Sequence, residues 1–177
     1  MSIEIWDVLD ENGALTGKTA LRGKGVLKSG EYHLVVHIWI MSSTGQFLIQ
    51  RRADDKKLMP GEWAATGGAA VSGEDSFTAA KRELEEETGT KCDNLEFLTS
   101  YYPSCGYTSE KIYIYIARGL SSGEKNLDDT EEILDVQKIH IDEWLKMAME
   151  NKFRHASVNI AILMYYFKYC NGGNYDR

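Results

Sequence analysis

Glu83, Glu85, Glu86 and Glu87 crowd the last turns of a helical pattern that runs into Thr88 and Gly89. Glu83 stands three residues before Glu86 and four before Glu87, so these like charges share one helix face, each pair costing about 0.2–0.5 kcal/mol. The C-terminal end of a helix also carries a partial negative charge, which adds to the repulsion. A solvated charged helix, with pairs such as Lys81 and Glu85, is the ordinary reading of a charge run. It leaves the crowding of Glu83, Glu86 and Glu87 unanswered. A hard divalent cation answers it. Magnesium takes oxygen ligands, typically one or two protein carboxylates with waters and substrate phosphates, and turns mutual repulsion into shared coordination.

The elements that position these carboxylates are legible around them. Asp75 is a suitable N-cap, residues 76–88 the helix, and Gly89 the residue that ends it in the left-handed conformation. At 100° per residue Phe77, Ala80, Leu84 and Thr88 form the expected buried stripe, with the three same-face glutamates beside it. Upstream, IEIWDVL and ALTGKTA around a DENG turn read as short N-terminal strands. YHLVVHIWIM (32–41) and QFLIQRR (46–52) around SSTG read as a hairpin. Period two places His33, Val35, His37 and Trp39 on one face. The four-residue spacing of His33 and His37 suits a metal site on a helix, not on a strand, so both are expected to pack. Residues 53–63 form a loop. Strands are expected at 95–102, at 111–120 with isoleucine alternating against tyrosine, and at 133–141. Helices DEWLKMAMEN and ASVNIAILMYYFKY close the chain, the second expected to be amphipathic.

The whole chain sets the bounds. Its 177 residues suffice for one domain, and 43% hydrophobic with 27% charged residues is a globular balance. The net charge of −7 with scattered Lys and Arg offers no basic stripe for a nucleic-acid duplex or an anionic membrane. Apolar runs such as IAILMYYF fall far short of the roughly 20 residues that span a bilayer. The N-terminus lacks the pattern of a secretory signal, so a cytoplasmic location is expected. Cys92, Cys105 and Cys170 lack CxxC spacing and read as free thiols.

Gly68, Glu74 and the run Arg82-Glu83-Leu84-Glu85-Glu86-Glu87-Thr88-Gly89-Thr90 carry a resemblance to the Nudix box of the Nudix hydrolase superfamily. Thr90 departs from it, standing where the family usually has an aliphatic residue. The resemblance spans roughly residues 30–170. It implies an α/β protein with the Nudix fold, an α/β/α sandwich around a mixed β-sheet, in one domain over 1–177: an N-terminal β-hairpin extension (1–29) and a core (30–177). The extension is similar to that of Nudix proteins near isopentenyl-diphosphate isomerase, and the segment after the box is similar to that of ADP-sugar pyrophosphatases.

Carried over by position, the resemblance implies that Glu83, Glu86 and Glu87 hold Mg²⁺ or Mn²⁺. Arg82 would orient them, Gly68 would shape the loop against the helix at the metal site, and Glu74 would support it. The implied activity is hydrolysis of a phosphoanhydride in a nucleoside diphosphate linked to another group. A carboxylate removes a proton from water in such chemistry, and Glu86, Glu87, Glu131, Glu132 and Asp135 are the candidates. Arg51, Arg52, Lys56 and Lys57 are candidates to neutralise phosphates. Trp6, Trp63, Tyr102 and Tyr107 are candidates to stack a base, and Tyr102 joins Arg51, Arg52 and Lys57 in the expected substrate set. The expected partner is thus a small nucleotide-type diphosphate, and an exposed N-terminal hairpin edge would allow a homodimer. Two other functions compete. An isomerase would need a cysteine where Gly67 stands, and a silent nucleotide-binding module would not need all three glutamates.

Overall fold

In the computed structural model the protein is described over residues 4–24, 27–52, 54, 60–104, 107–122 and 133–171, and at 122 and 133–136 through the backbone alone. Strands β1 (Ile5–Leu9) and β2 (Leu15–Leu21) pair antiparallel as the expected N-terminal hairpin. The Asp10 carboxylate shapes its turn by accepting the N–H groups of Asn12 and Ala14.

The main sheet is mixed. Strand β3 (His33–Met41) lies parallel to β8 (Glu110–Ser122) along one edge. Its other edge is shared by β4 (Gln46–Arg52) at the end of the expected hairpin and by β6 (Thr66–Ala69) at its start. Strand β5 (Trp63–Ala64) and strand β9 (Ile133–His140) both pair with β4, while β7 (Thr90–Tyr101) pairs with β8. Strand β7 begins directly after Gly89, earlier than the expected residue 95, because its first residues continue the ladder to Ser122.

Alternation on β8 explains how the sheet is covered on both faces. Ile112, Ile114 and Ile116 face one core with Trp39, Phe47, Trp144, Val158 and Ile162, beneath helices α2 (Ile141–Met149) and α3 (Ala156–Tyr165). Tyr115 and Ala117 face the other, with Val36, Ile38, Ile40, Ala79, Ala80 and Leu84, beneath helix α1 (Ser76–Thr88). This is the expected α/β/α arrangement.

Two expectations are corrected. Phe77 is 41% exposed and Ala79 takes its place in the buried stripe. The ring lies edge-on to Tyr115 under the Lys81 ammonium, covering the flank of the core. Helix α3 is apolar on every side rather than amphipathic: Val158, Ala161 and Ile162 are buried while Leu163 and Met164 are exposed. It passes into a π-helical turn, Tyr166–Cys170, whose Lys168 and Tyr169 both reach Glu96. Cys92 and Cys170 are free thiols, and Cys105 lies outside the described residues.

Candidate active site

Helix α1 carries the carboxylates, and its ends are set as the local chemistry requires. Asp75 accepts the Thr78 N–H at 2.7 Å, and Gly89 adopts φ 64°, donating its N–H to the Glu85 carbonyl. Within the helix, Arg82 answers the crowding of negative charge. Its Nη1 donates to Glu83 Oε1 at 2.8 Å and to Glu86 Oε2 at 2.9 Å. Its Nε and Nη2 form a fork on the two oxygens of Glu74, at 2.8 and 2.9 Å, and Nη2 also reaches the Ala69 carbonyl at 3.1 Å. Planar bidentate pairing of this kind fixes orientation as well as charge. The hydrogen bonds that Arg82 donates to Glu74 do most to raise the Arg82 pKa. Partial burial opposes them, and Glu83 and Glu86 reinforce them. Burial would push Glu74 up, but the Arg82 bonds and the Val71 N–H outweigh it and hold that carboxyl below its usual range.

Each glutamate has its own setting. Glu83 is pressed against β6: a Cβ on Gly68 would lie 2.5 Å from Glu83 Oε1, so any side chain there would push the Glu83 carboxylate out of its place. Glu86 is more open than Glu83, with a side chain 44% exposed against 12%. Glu87 Oε2 accepts the Gly67 N–H at 3.0 Å and the Gln50 amide at 3.4 Å. Glu85 pairs with Lys91 at 2.9 Å. Among the described residues, no group of three or more His, Cys, Asp or Glu side chains is gathered closely enough to hold a metal ion by itself. The donor set nevertheless fits a hard cation, which needs only one or two protein carboxylates.

The remaining candidates divide by position. Arg51 is tied to its own loop, donating to the Gly61 carbonyl at 3.0 Å and approaching Asp54 at 3.4 Å. Arg52 pairs through its backbone with Glu62 and lies near enough to His155 to lower that imidazole's pKa, second to burial. Tyr102 donates its hydroxyl to the Glu11 carbonyl at 2.7 Å, in the N-terminal hairpin turn. Trp6 stacks on His33 at 4.2 Å, Trp63 packs against the core under α2 and α3, and Tyr107 is 97% exposed. Asp135 lies opposite Arg51 in the β4–β9 ladder. Lys56, Lys57, Glu131 and Glu132 lie outside the described residues. Gln50 and the Gly67 N–H escaped sequence reasoning, because their approach to Glu87 depends on how β4 and β6 register against β3.

A carboxylate-bearing helix held by arginine against one face of a mixed sheet defines the class. A family model described as NUDIX domain matches residues 31–160. An uncharacterized Nudix hydrolase of Listeria innocua is 41% identical over 138 residues, covering 76% of this chain and 79% of that protein. The ADP-ribose pyrophosphatase of Bacillus subtilis is 31% identical over 96 residues, covering 54% of this chain and 52% of that protein. A Deinococcus radiodurans crystal structure matches the fold with a TM-score of 0.71 at 23% identity, covering 92% of this chain and 99% of that one. The chain belongs to the Nudix hydrolase family. That family generally uses divalent metals and acts on small nucleotide-type substrates.

Gly67 bears on the isomerase alternative. A Cβ there would collide with the Val36 carbonyl and lie 2.9 Å from His37 Cα, so the backbone leaves no room for a cysteine.

Proposed function

We propose that this protein is a divalent-metal-dependent Nudix hydrolase that cleaves a phosphoanhydride in a nucleoside diphosphate linked to another moiety. A nucleotide sugar such as ADP-ribose is the leading substrate class, and nucleoside di- and triphosphates come next. The observation that carries the reading is the set of Glu83, Glu86 and Glu87 on the last turns of α1, braced by Arg82 and Gly68. The similarity to the Bacillus subtilis ADP-ribose pyrophosphatase supports the choice of substrate.

Mg²⁺ or Mn²⁺ bound by these three carboxylates would supply polarisation of the phosphoryl oxygens. Arg82 fixes the direction in which Glu83 and Glu86 point. Glu86, more open than Glu83, would take the proton from the attacking water, with Glu87, Asp135 and Glu132 as alternates. Arg51, Arg52 and Lys57 would offset phosphate charge, and Tyr102 would contact the organic moiety. Two copies would pair through β2, whose edge is exposed along nearly its whole length.

The test is product release from ADP-ribose, nucleotide sugars, dinucleoside polyphosphates, nucleoside di- and triphosphates and isopentenyl diphosphate, each with Mg²⁺ and with chelator. Metal-dependent release of AMP from ADP-ribose is the expected result. A rearranged isopentenyl product, or no cleavage across the panel, overturns the reading.

A further inference from the structure

We propose that Asp7, on the N-terminal strand β1, is a positioning residue for the carboxylate helix, acting through the turn at residues 71–75 on Glu74 and Arg82. The contact chain is continuous. Asp7 Oδ1 accepts the Ser72 hydroxyl at 2.6 Å, and Oδ2 accepts the Gly73 N–H at 2.8 Å. The next residue is Glu74, whose two oxygens hold the Arg82 fork, and Arg82 in turn grips Glu83 and Glu86. One carboxylate thus holds two adjoining residues of a turn that lies more than sixty positions further along the chain.

Strand β1 is itself anchored, so this grip has something to pull against. Ser72 N–H donates to the Ile5 carbonyl at 2.7 Å, on the same strand. Trp6 stacks on His33 of β3 with the ring planes 8° apart. Val8 and Leu9 are buried, and Leu9 exchanges backbone hydrogen bonds with Tyr32. Gly73, at φ 91°, is the freest backbone joint of the turn, and it is the joint that Asp7 holds. Releasing it lets Glu74 shift first, and the Arg82 fork follows. Groups that orient a ligand from outside its immediate shell typically change metal affinity or activity by about 10–100-fold.

This inference rests on the reading of the carboxylates as a metal site, so the test separates the two. Mn²⁺ binding is followed by the electron paramagnetic resonance signal of the free ion, alongside kcat, KM and Tm, in the full chain. Asp7→Ala is expected to weaken Mn²⁺ binding and lower kcat, each by about tenfold, with KM nearly unchanged. Asp7→Asn, which keeps one acceptor oxygen, restores most of the loss. The Asp7→Ala, Glu74→Gln double variant is no worse than Glu74→Gln alone, because both act along one path. Wild-type Mn²⁺ affinity and kcat in a folded Asp7→Ala protein, or additive losses in the double variant, overturn the proposal. If Asp7→Ala does not fold, Ser72→Ala, which removes one of the two bonds at an exposed residue, decides by the same readouts. A wild-type chain that binds Mn²⁺ but cleaves nothing overturns the hydrolase alone. One that binds no Mn²⁺ overturns both.

Discussion

Glu83, Glu86 and Glu87 are the same residue type in three different employments, and each makes its own demand. Glu86→Gln and Glu87→Gln keep shape and remove charge, so each is expected to lower turnover at least about tenfold while the protein stays folded. Steady-state rates with thermal melts check this, and near wild-type rates in both sink the metal assignment. Gly68→Ala drives a methyl group into the Glu83 carboxylate. It is expected to cost about 1–3 kcal/mol of stability and most of the activity. His37 tests the opposite face of the sheet. Its Nδ1 is buried without a hydrogen-bond partner among the described residues, and burial, with a smaller contribution from His155, lowers its pKa to about 4. Arg52 and Glu62 also act on His155, in opposite directions. The unfolded chain protonates this imidazole below its ordinary 6.5, the folded chain only near 4. Between those values the unfolded state binds more protons. Stability is therefore complete above about pH 6.5 and falls as pH drops toward 4, by up to the order of 3 kcal/mol. Melting at pH 7.5 and 5.5 should show a larger loss in the wild type than in His37→Gln. Equal losses would remove His37 from the account.

Helix α1 was legible because everything that defines it is local. Asp75, the apolar spacing and Gly89 mark its limits, and the structure places them at those residues. Asp75→Ala is expected to cost about 1 kcal/mol, seen as a lower melting temperature with the fold intact. The β3–β4 hairpin and the alternation of β8 were legible for the same reason, since a period of two needs no knowledge of partners. What escaped depends on pairing across the chain. Glu87 meets Gln50 and Gly67 only because β4 and β6 divide one edge of β3 between them. Phe77 fits the helical period of a buried stripe, yet the small Ala79 is what the tight approach to the sheet accepts. Helix α3 carries apolar residues all round, so periodicity could not say which side would be covered. The grip of Asp7 on Ser72 and Gly73 joins two segments with no shared pattern at all.

The molecule as a whole is acidic, with a net charge of −7, while the proposed substrate is a polyanion. Long-range electrostatics therefore oppose the encounter, and attraction is confined to the site, where a bound cation and nearby arginines would act over a few ångströms. Added salt separates the two ranges. The screening length is about 10 Å at 0.1 M and about 30 Å at 0.01 M. Raising potassium chloride from low to physiological strength thus removes the repulsion from distant carboxylates and spares contacts made within the site. With Mg²⁺ saturating throughout, kcat/KM is expected to rise by roughly twofold or more, while kcat stays constant because salt changes the approach and not the chemistry. Basic proteins that act on phosphates show the reverse slope. If kcat/KM falls steadily with salt here, attraction dominates even at a distance. Arg51 and Arg52 at the end of β4 would then be the first candidates for its source. Replacing Arg52 with Gln would flatten that slope, and local cations would outrank the charge of the whole chain.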